Sequence, residues 1–226
     1  KDSTFKNSTG WPDPDHLMTT RDLLTLAERT IQDFPEYYHY YAEREFEYNK
    51  IKQLNRNPLI FSDLNGDGLK TGHTSLGGYG LVFSATKGDA RFIGVINGVD
   101  SSKERSLAAR NILQWAFHTY TSSKVVRKNE VVFEMPIDNG DMPSVPLSAI
   151  EDHYYSYKLH QKPQVTTEIK IINNKAPIKV GDHLANLQVL GSSLQPLLEI
   201  PLYAELAVEE QSMMKKYYRA FMSLVR

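Results

Sequence analysis

The apolar residues of this chain change their period several times, and each change marks an element. From Thr20 to Phe34 they recur at Leu23, Ala27, Ile31 and Phe34, a helical spacing, with Thr19 and Thr20 offered as N-caps. Asp22 sits in the first turn, and Pro35 closes the run. Tyr37 to Tyr48 is crowded with aromatics among Glu and Arg, a mixture that allows a strand. Asn49 to Asn65 reads as a loop around one apolar piece, Leu59-Ile60-Phe61. Strands are expected over Leu69–Thr74, Tyr79–Thr86 and Arg91–Asn97, separated by Gly77-Gly78 and by Lys87-Gly88-Asp89. The last of them is nearly all apolar, which predicts a central strand buried on both faces. Three consecutive antiparallel strands are the simplest arrangement. A second helix follows, opened by a Ser101/Glu104 capping box, with Ala108, Ile112, Trp115 and Ala116 on one face.

The pattern shifts after Tyr120. Ser122 to Lys128 is polar and basic, and a domain boundary is placed there. From Val131 to about Tyr203 short apolar stretches alternate with turns. Val165, Thr167, Ile169 and Ile171 alternate with Thr166, Glu168 and Lys170, while Asn173-Asn174 and Gly181-Asp182 read as turns. At the end, Met214, Tyr217, Tyr218, Phe221, Met222 and Val225 fall at spacings of three and four, opposite Lys215, Lys216 and Arg219. No acidic residue follows Gln211. Such a basic amphipathic helix suits a membrane interface, though the same pattern fits a terminal helix packed on its own protein. The expected organisation is therefore α+β over residues 1–122, a small all-β domain over 123–205, and an amphipathic helix over 206–226.

Composition narrows function mainly by exclusion. The 226 residues are 41% hydrophobic and 23% charged, which is ordinary globular material. A formal net charge of −1 supplies no global attraction for nucleic acid, so none is expected as a partner. The absence of cysteine excludes disulfides, thiolate metal sites and a Cys nucleophile. The seven histidines are scattered, with no pair at metal-binding spacing, and no cofactor is implied.

The chemistry concentrates in Lys70-Thr71-Gly72-His73-Thr74. A lysine ammonium can hold a substrate carboxylate and bias proton transfers near it. The Thr71 hydroxyl can bond the same carboxylate. Gly72, having no side chain, lets a peptide lie against the strand edge as an added strand. The backbone N–H of His73 is suited to an oxyanion. Alone, a three-residue motif is a weak signal.

The resemblance extends beyond the triplet. Phe5-Lys6-Asn7-Ser8-Thr9-Gly10, Thr20-Arg21-Asp22-Leu23, Gln53-Leu54-Asn55-Arg56-Asn57, Asp67 to Thr74 and Ser84-Ala85-Thr86 together resemble the C-terminal portion of D-alanyl-D-alanine carboxypeptidases of the low-molecular-mass penicillin-binding proteins. The resemblance implies a partial serine β-lactamase/transpeptidase-like domain followed by a β-rich spacer. It also implies a cleft edged by Lys70, Thr71, Gly72 and His73, with Thr74 and Arg105 binding the peptide carboxylate. On residue type alone, Arg105 reads instead as a solvated helix-surface residue. The implied activity is removal of the terminal D-Ala from peptidoglycan pentapeptides through an acyl-enzyme, with β-lactams as further ligands. The implied setting is the periplasm of a Gram-negative bacterium, peripheral on the inner membrane through the terminal helix.

The same resemblance expects a Ser-x-x-Lys nucleophile element and a Ser-x-Asn element. Ser3-Thr4-Phe5-Lys6 spells the first, but Asn7-Ser8-Thr9-Gly10-Trp11-Pro12 cannot continue a helix behind it, so it is read as a chance match. No Ser-x-Asn occurs. The nucleophile is expected upstream of Lys1, on an N-terminal half that would be a partner of this chain, and the chain alone is expected to be inactive. A non-catalytic binder of peptidoglycan peptides is the alternative. A third reading, calcium binding by Asp63, Asn65 and Asp67, is weakened by Thr74 where a loop-closing Glu belongs.

Overall fold

A computed structural model of the protein describes residues 2–212. The chain divides into two compact units, Lys1–Thr121 and Ser122–Arg226.

In the first unit, α1 (Thr20–Asp33) starts where Thr19 accepts a hydrogen bond from the Asp22 backbone N–H. Pro35 does not merely end this helix. It occupies the first turn of a short second one, α2 (Pro35–Tyr38), where its missing N–H costs nothing. The Asn49–Asn65 loop is overturned in part, because it contains a strand. Strands β1 (Glu45–Tyr48) and β2 (Ile51–Leu54) form a two-residue hairpin. Asn49 and Lys50 both take positive φ, the primed turn that such a hairpin needs. The signal was hidden because a lysine fills a position where glycine is the usual marker.

Strands β3 (Gly66–Thr74), β4 (Gly78–Lys87) and β5 (Ala90–Val99) make an antiparallel sheet in that order. Gly78, at φ +64, turns β3 into β4. The central strand is thus β4 and not β5. The apolar run of β5 is mostly half-buried, with only Ala90 and Ile96 fully buried. Helix α3 (Ser102–Thr119) is capped by Ser101, whose side chain accepts from the Glu104 N–H; Glu104 in return accepts from the Asp100 N–H. Its inward face is Arg105, Ala109, Leu113, Ala116 and Phe117. That is rotated about one residue from the expected stripe, and Ile112 and Trp115 are exposed. Ala109, Leu113 and Phe117 pack on Leu81, Phe83 and Ala85 of β4.

The second unit is built on an antiparallel sheet ordered β10-β11-β12-β8-β7, from β7 (Val131–Pro136), β8 (Ser144–Ser148), β10 (Thr166–Ile171), β11 (His183–Leu190) and β12 (Pro196–Ala204). A separate pair joins β6 (Tyr120–Val126) to β9 (His153–Lys158). Alternation decides the core. Ile200, Leu202 and Ala204 of β12 point inward with Val145 and Leu147 of β8 and Met135 of β7. The alternating run at 165–171 does form a strand, but an edge one, and its expected inward residues Val165 and Ile171 stay exposed. Residues 206–212 are not helical. Val208 bridges Ile178 and Glu210 bridges Gly140, so this stretch closes the β unit. The expected amphipathic helix over Met214–Val225 lies outside the described residues. Among the described residues no helix is long and apolar enough to cross a membrane.

Candidate active site

The Lys-Thr-Gly residues lie on β3, an edge strand of the three-stranded sheet, with one side open. Its pairing with β4 assigns the faces. Leu69, Thr71 and His73 stand opposite Phe83, Leu81 and Tyr79, on the side covered by α3. Lys70, Gly72 and Thr74 take the other face, opposite Val82, Gly80 and Gly78. The Gly68–Leu69 peptide is cis.

A cavity of about 1030 Å³ wraps this open edge. Lys70, Thr71, Gly72, His73, Thr74 and Arg105 all line it, so the residues singled out from sequence meet at one place. The Lys70 side chain is exposed, and its ammonium donates to the Thr71 carbonyl at 2.5 Å. Arg105 corrects the residue-type expectation of a solvated arginine. It is buried, 8% exposed, because the N-terminal turn of α3 lays it under the sheet edge. Its guanidinium carbon lies 5.7 Å from the Tyr79 ring centroid, and the His73 ring packs tilted, at 37°, against Tyr79 with centroids 4.0 Å apart. The buried Arg105 Nε has no hydrogen-bond partner in the described structure. Arg56 adds a third cation to the lining, which among the described residues includes no Asp or Glu. Three cations without a counter-charge around a strand edge attract an anion, and the open backbone of β3 can pair with an extended chain.

Behind β3 lies a second, polar cluster that sequence reading missed. Tyr38 donates to Asp67 Oδ1 at 2.9 Å, and Arg91 donates to Asp67 Oδ2 at 2.7 Å and to Ser84 Oγ at 2.6 Å. Burial, with the neighbouring Asp67 charge adding to it, pushes the Tyr38 phenol up to about 12, so it stays a neutral donor. Arg56, Tyr79 and Asn97 were also missed as lining residues. Only Arg56 carried a sequence signal, an arginine set between asparagines in a loop.

The candidate nucleophiles are engaged elsewhere. Ser3 donates to Asp22 Oδ2 at 2.6 Å outside any helix, and Lys6 pairs with Asp15 at 3.7 Å. A second Ser-x-x-Lys, Ser84 to Lys87, escaped the sequence reading. It runs along β4, where residues three apart face opposite ways. Ser84 accepts from Arg91, and Lys87 donates to the Phe117 carbonyl at 2.8 Å. A third, beginning at Ser212, extends beyond the described residues. The acidic residues of the calcium reading diverge: Asp63 pairs with Arg110 at 3.1 Å and Asp67 with Arg91. The Asn65 side chain donates to the Thr86 carbonyl at 3.4 Å.

Comparison with known proteins gives this edge a context. The sequence profile of D-alanyl-D-alanine carboxypeptidase matches residues 1–101, and that of the penicillin-binding protein 5 C-terminal domain matches residues 120–210. The chain belongs to the D-alanyl-D-alanine carboxypeptidase family. The carboxypeptidase DacA of Haemophilus influenzae is 35% identical over 201 residues, covering 87% of this chain and 50% of that protein. DacD of Escherichia coli is 30% identical over 219 residues, covering 96% and 56%. Penicillin binding protein 5 from Haemophilus influenzae shares the fold with a TM-score of 0.77 at 32% identity, over 93% of this chain and 62% of that one. The family members matched are thus about twice as long as this chain, which spans 50% and 56% of the two curated relatives. The sheet with its helices corresponds to part of a transpeptidase-like fold, and the second unit to the penicillin-binding protein 5 C-terminal domain.

Proposed function

We propose that this chain is the C-terminal portion of a serine-type D-alanyl-D-alanine carboxypeptidase, supplying the substrate edge of the active site. The observation that carries the reading is the cavity along β3, ringed by Lys70, Arg105 and Arg56 with no acidic residue among the described residues that line it. In this reading, the peptide stem pairs with the open side of β3 at Gly72, and its terminal carboxylate sits among Lys70, Thr71, Thr74 and Arg105. The His73 N–H faces the carbonyl that becomes the oxyanion. Acyl transfer uses a serine supplied from outside these 226 residues, so the chain alone binds without turning over. The second unit is a spacer toward peptidoglycan, and the basic, apolar sequence pattern of Met214 to Val225 suits contact with the outer leaflet of the inner membrane in the periplasm.

A second reading, a protein that grips peptidoglycan peptides without catalysis, is favoured by the engagement of Ser3, Lys6, Ser84 and Lys87 in other bonds. Titrating the chain with an N-acetylated peptide ending in D-Ala-D-Ala, and with its C-terminal amide, tests what both readings share. Binding of the acid and not of the amide is expected; equal binding refutes the carboxylate site. Intact mass after excess benzylpenicillin is expected to show no adduct. A stable adduct would place an activated serine within the chain and overturn the division of labour. Adding an upstream half taken from a relative separates the two readings, since only the enzyme portion gains turnover.

A further inference from the structure

The entry into β3 is irregular in a way that bears on the Lys-Thr-Gly edge. Gly66 pairs with Ala85 and Gly68 with Ser84, so two steps along β3 match one step along β4, and Asp67 is the extra residue of a bulge. Without the bulge, continuing the Gly66–Ala85 register would set Lys70 opposite Leu81 in place of Val82. Every following side chain would change face. Lys70 would then enter the apolar layer under α3, and Thr71 and His73 would leave it. The bulge therefore decides which face of β3 carries the ammonium.

An unpaired bulge residue needs something to hold it, and Asp67 is held from two elements. Tyr38 of α2 donates to Asp67 Oδ1, and Arg91 of β5 reaches both carboxylate oxygens, at 3.0 and 2.7 Å. Arg91 also bonds Ser84, the β4 residue opposite Gly68, so the cation ties the bulge to the strand it must stay in register with. The Arg91 guanidinium carbon lies 5.2 Å from the Tyr38 ring, and the residue next to the bulge fits the same contact closely. A Cβ on Gly68 would come within 2.5 Å of the Tyr38 hydroxyl. From the opposite side the buried Asn57 side chain donates to the Gly68 carbonyl at 2.6 Å. The carboxylate of Asp67 thus sits between two donors of fixed orientation, the Tyr38 hydroxyl and one guanidinium nitrogen of Arg91, which carries a charge. None of these side chains lines the cavity.

We infer that Asp67, gripped by Arg91 and Tyr38, is a positioning residue that pins the β3 bulge and so holds Lys70 and Thr71 where a peptide carboxylate is captured. The inference rests on the carboxylate-binding reading for its consequence, but its structural half stands alone. A bulge held only by backbone pairing opens locally, and the edge beyond it loses definition without global unfolding. A binding edge loses affinity when its donors are no longer pre-set.

The test uses this chain with two substitutions, Asp67→Asn and Tyr38→Phe. The first removes the charge that Arg91 holds; the second removes one bond, leaves the ion pair, and serves should the first fail to fold. Amide hydrogen exchange at Leu69 to Gly72 is compared with exchange in β4 and β5, and affinity is measured for the acid and amide forms of the D-Ala-D-Ala peptide. In Asp67→Asn, exchange at 69–72 rises by about tenfold or more while α3 and β4 keep their protection. Affinity for the acid falls about tenfold, the worth of one charge-assisted contact. Tyr38→Phe moves both in the same direction by less. A residue that merely stabilises the unit would lower protection uniformly and leave affinity unchanged well below the melting temperature. Wild-type exchange at 69–72 in Asp67→Asn overturns the inference, and so does local loosening without loss of affinity. If the wild-type chain binds neither peptide, the carboxylate reading falls while the exchange pattern still decides whether Asp67 pins the bulge.

Discussion

The two units are of similar length and differ sharply in how they bury apolar surface. Among the described residues of Ser122–Arg226, fourteen buried residues form one cluster running through β7, β8, β11 and β12. In Lys1–Thr121, nine buried residues form the cluster between α3 and the sheet. Among the described residues of that unit, Trp11, Leu17, Phe34, Phe46, Tyr48, Ile51 and Leu54 are all more than half exposed. Exposed apolar side chains on this scale mark surface suited to a partner. The β unit closes its own core; the unit carrying the Lys-Thr-Gly edge spreads its apolar residues over a surface. The lesson is that binding geometry and self-sufficient stability reside in different halves of the chain.

That contrast can be broken most directly by denaturation. Trp11 and Trp115 both lie in the first unit, so tryptophan fluorescence reports on it alone, while amide exchange follows the second. The β unit is expected to unfold later and more cooperatively. Leu202→Ala, at a fully buried site, should cost it about 2–5 kcal/mol, read from the loss of exchange protection in β11 and β12 with the fluorescence midpoint unmoved. A single coincident transition for both probes would remove the distinction.

A smaller effect is expected within the first unit. A methyl at Gly94 would lie 2.2 Å from the ring of Phe83, which is fully buried and has no room to move. Gly94→Ala should therefore cost about 1–3 kcal/mol, by overpacking, and shift the fluorescence transition alone. Lys70→Ala sharpens the comparison from the other side. Its side chain is exposed, so stability should change by less than about 0.5 kcal/mol while affinity for the D-Ala-D-Ala acid falls. A large drop in melting temperature would show that Lys70 serves the fold instead.

The smallest expected effects separate the units by pH. Tyr38 titrates at about 12 in the folded protein against 10.0 for a free phenol, chiefly through burial. Its contribution is present below pH 10 and is lost as pH rises from 10 to 12, in the first unit only. Asp152 is held down to about 2 from 3.8, first by the hydrogen bond from Lys124 and then by the Lys128 N–H. Its contribution is present above about pH 4 and is lost as pH falls toward 2, in the second unit only. Tyr38→Phe should flatten the alkaline limb of the fluorescence transition, and Asp152→Asn the acid limb of the β unit. A crossed result would refute the assignment.

Much of the first unit was legible because local signals act locally. Thr19 and Ser101 cap their helices through their own side chains, and turn glycines mark the three strands. The Lys-Thr-Gly edge was legible for the same reason, since one contiguous strand carries it. What eluded the pattern was relational. The apolar content of β5 matches that of a central strand, yet its place at the sheet edge follows from which neighbours pair with it. The face of α3 was misjudged by about one residue because Arg105 turns inward, where a residue-type rule puts arginine outside. The β1–β2 hairpin passed unseen because its turn uses Asn49-Lys50, whose positive φ no composition rule announces.

The sequence by itself determined the helices with their caps, the hairpin order of β3 to β5, the β-rich character of the second unit, and the motif that points to carboxypeptidases. Periodicity and capping are properties of neighbouring residues, and they survive being read in one dimension. Only the tertiary structure decided that Arg56 and Arg105 meet Lys70 around one acid-free cavity, and that Tyr38, Asp67 and Arg91 close on the bulge behind it. These groups lie between 14 and 53 residues apart in the chain, and each such meeting depends on the pairing register and on which face an element buries. Charge and hydrogen bonding act over a few ångströms of space, and no local pattern records which distant residues will share them.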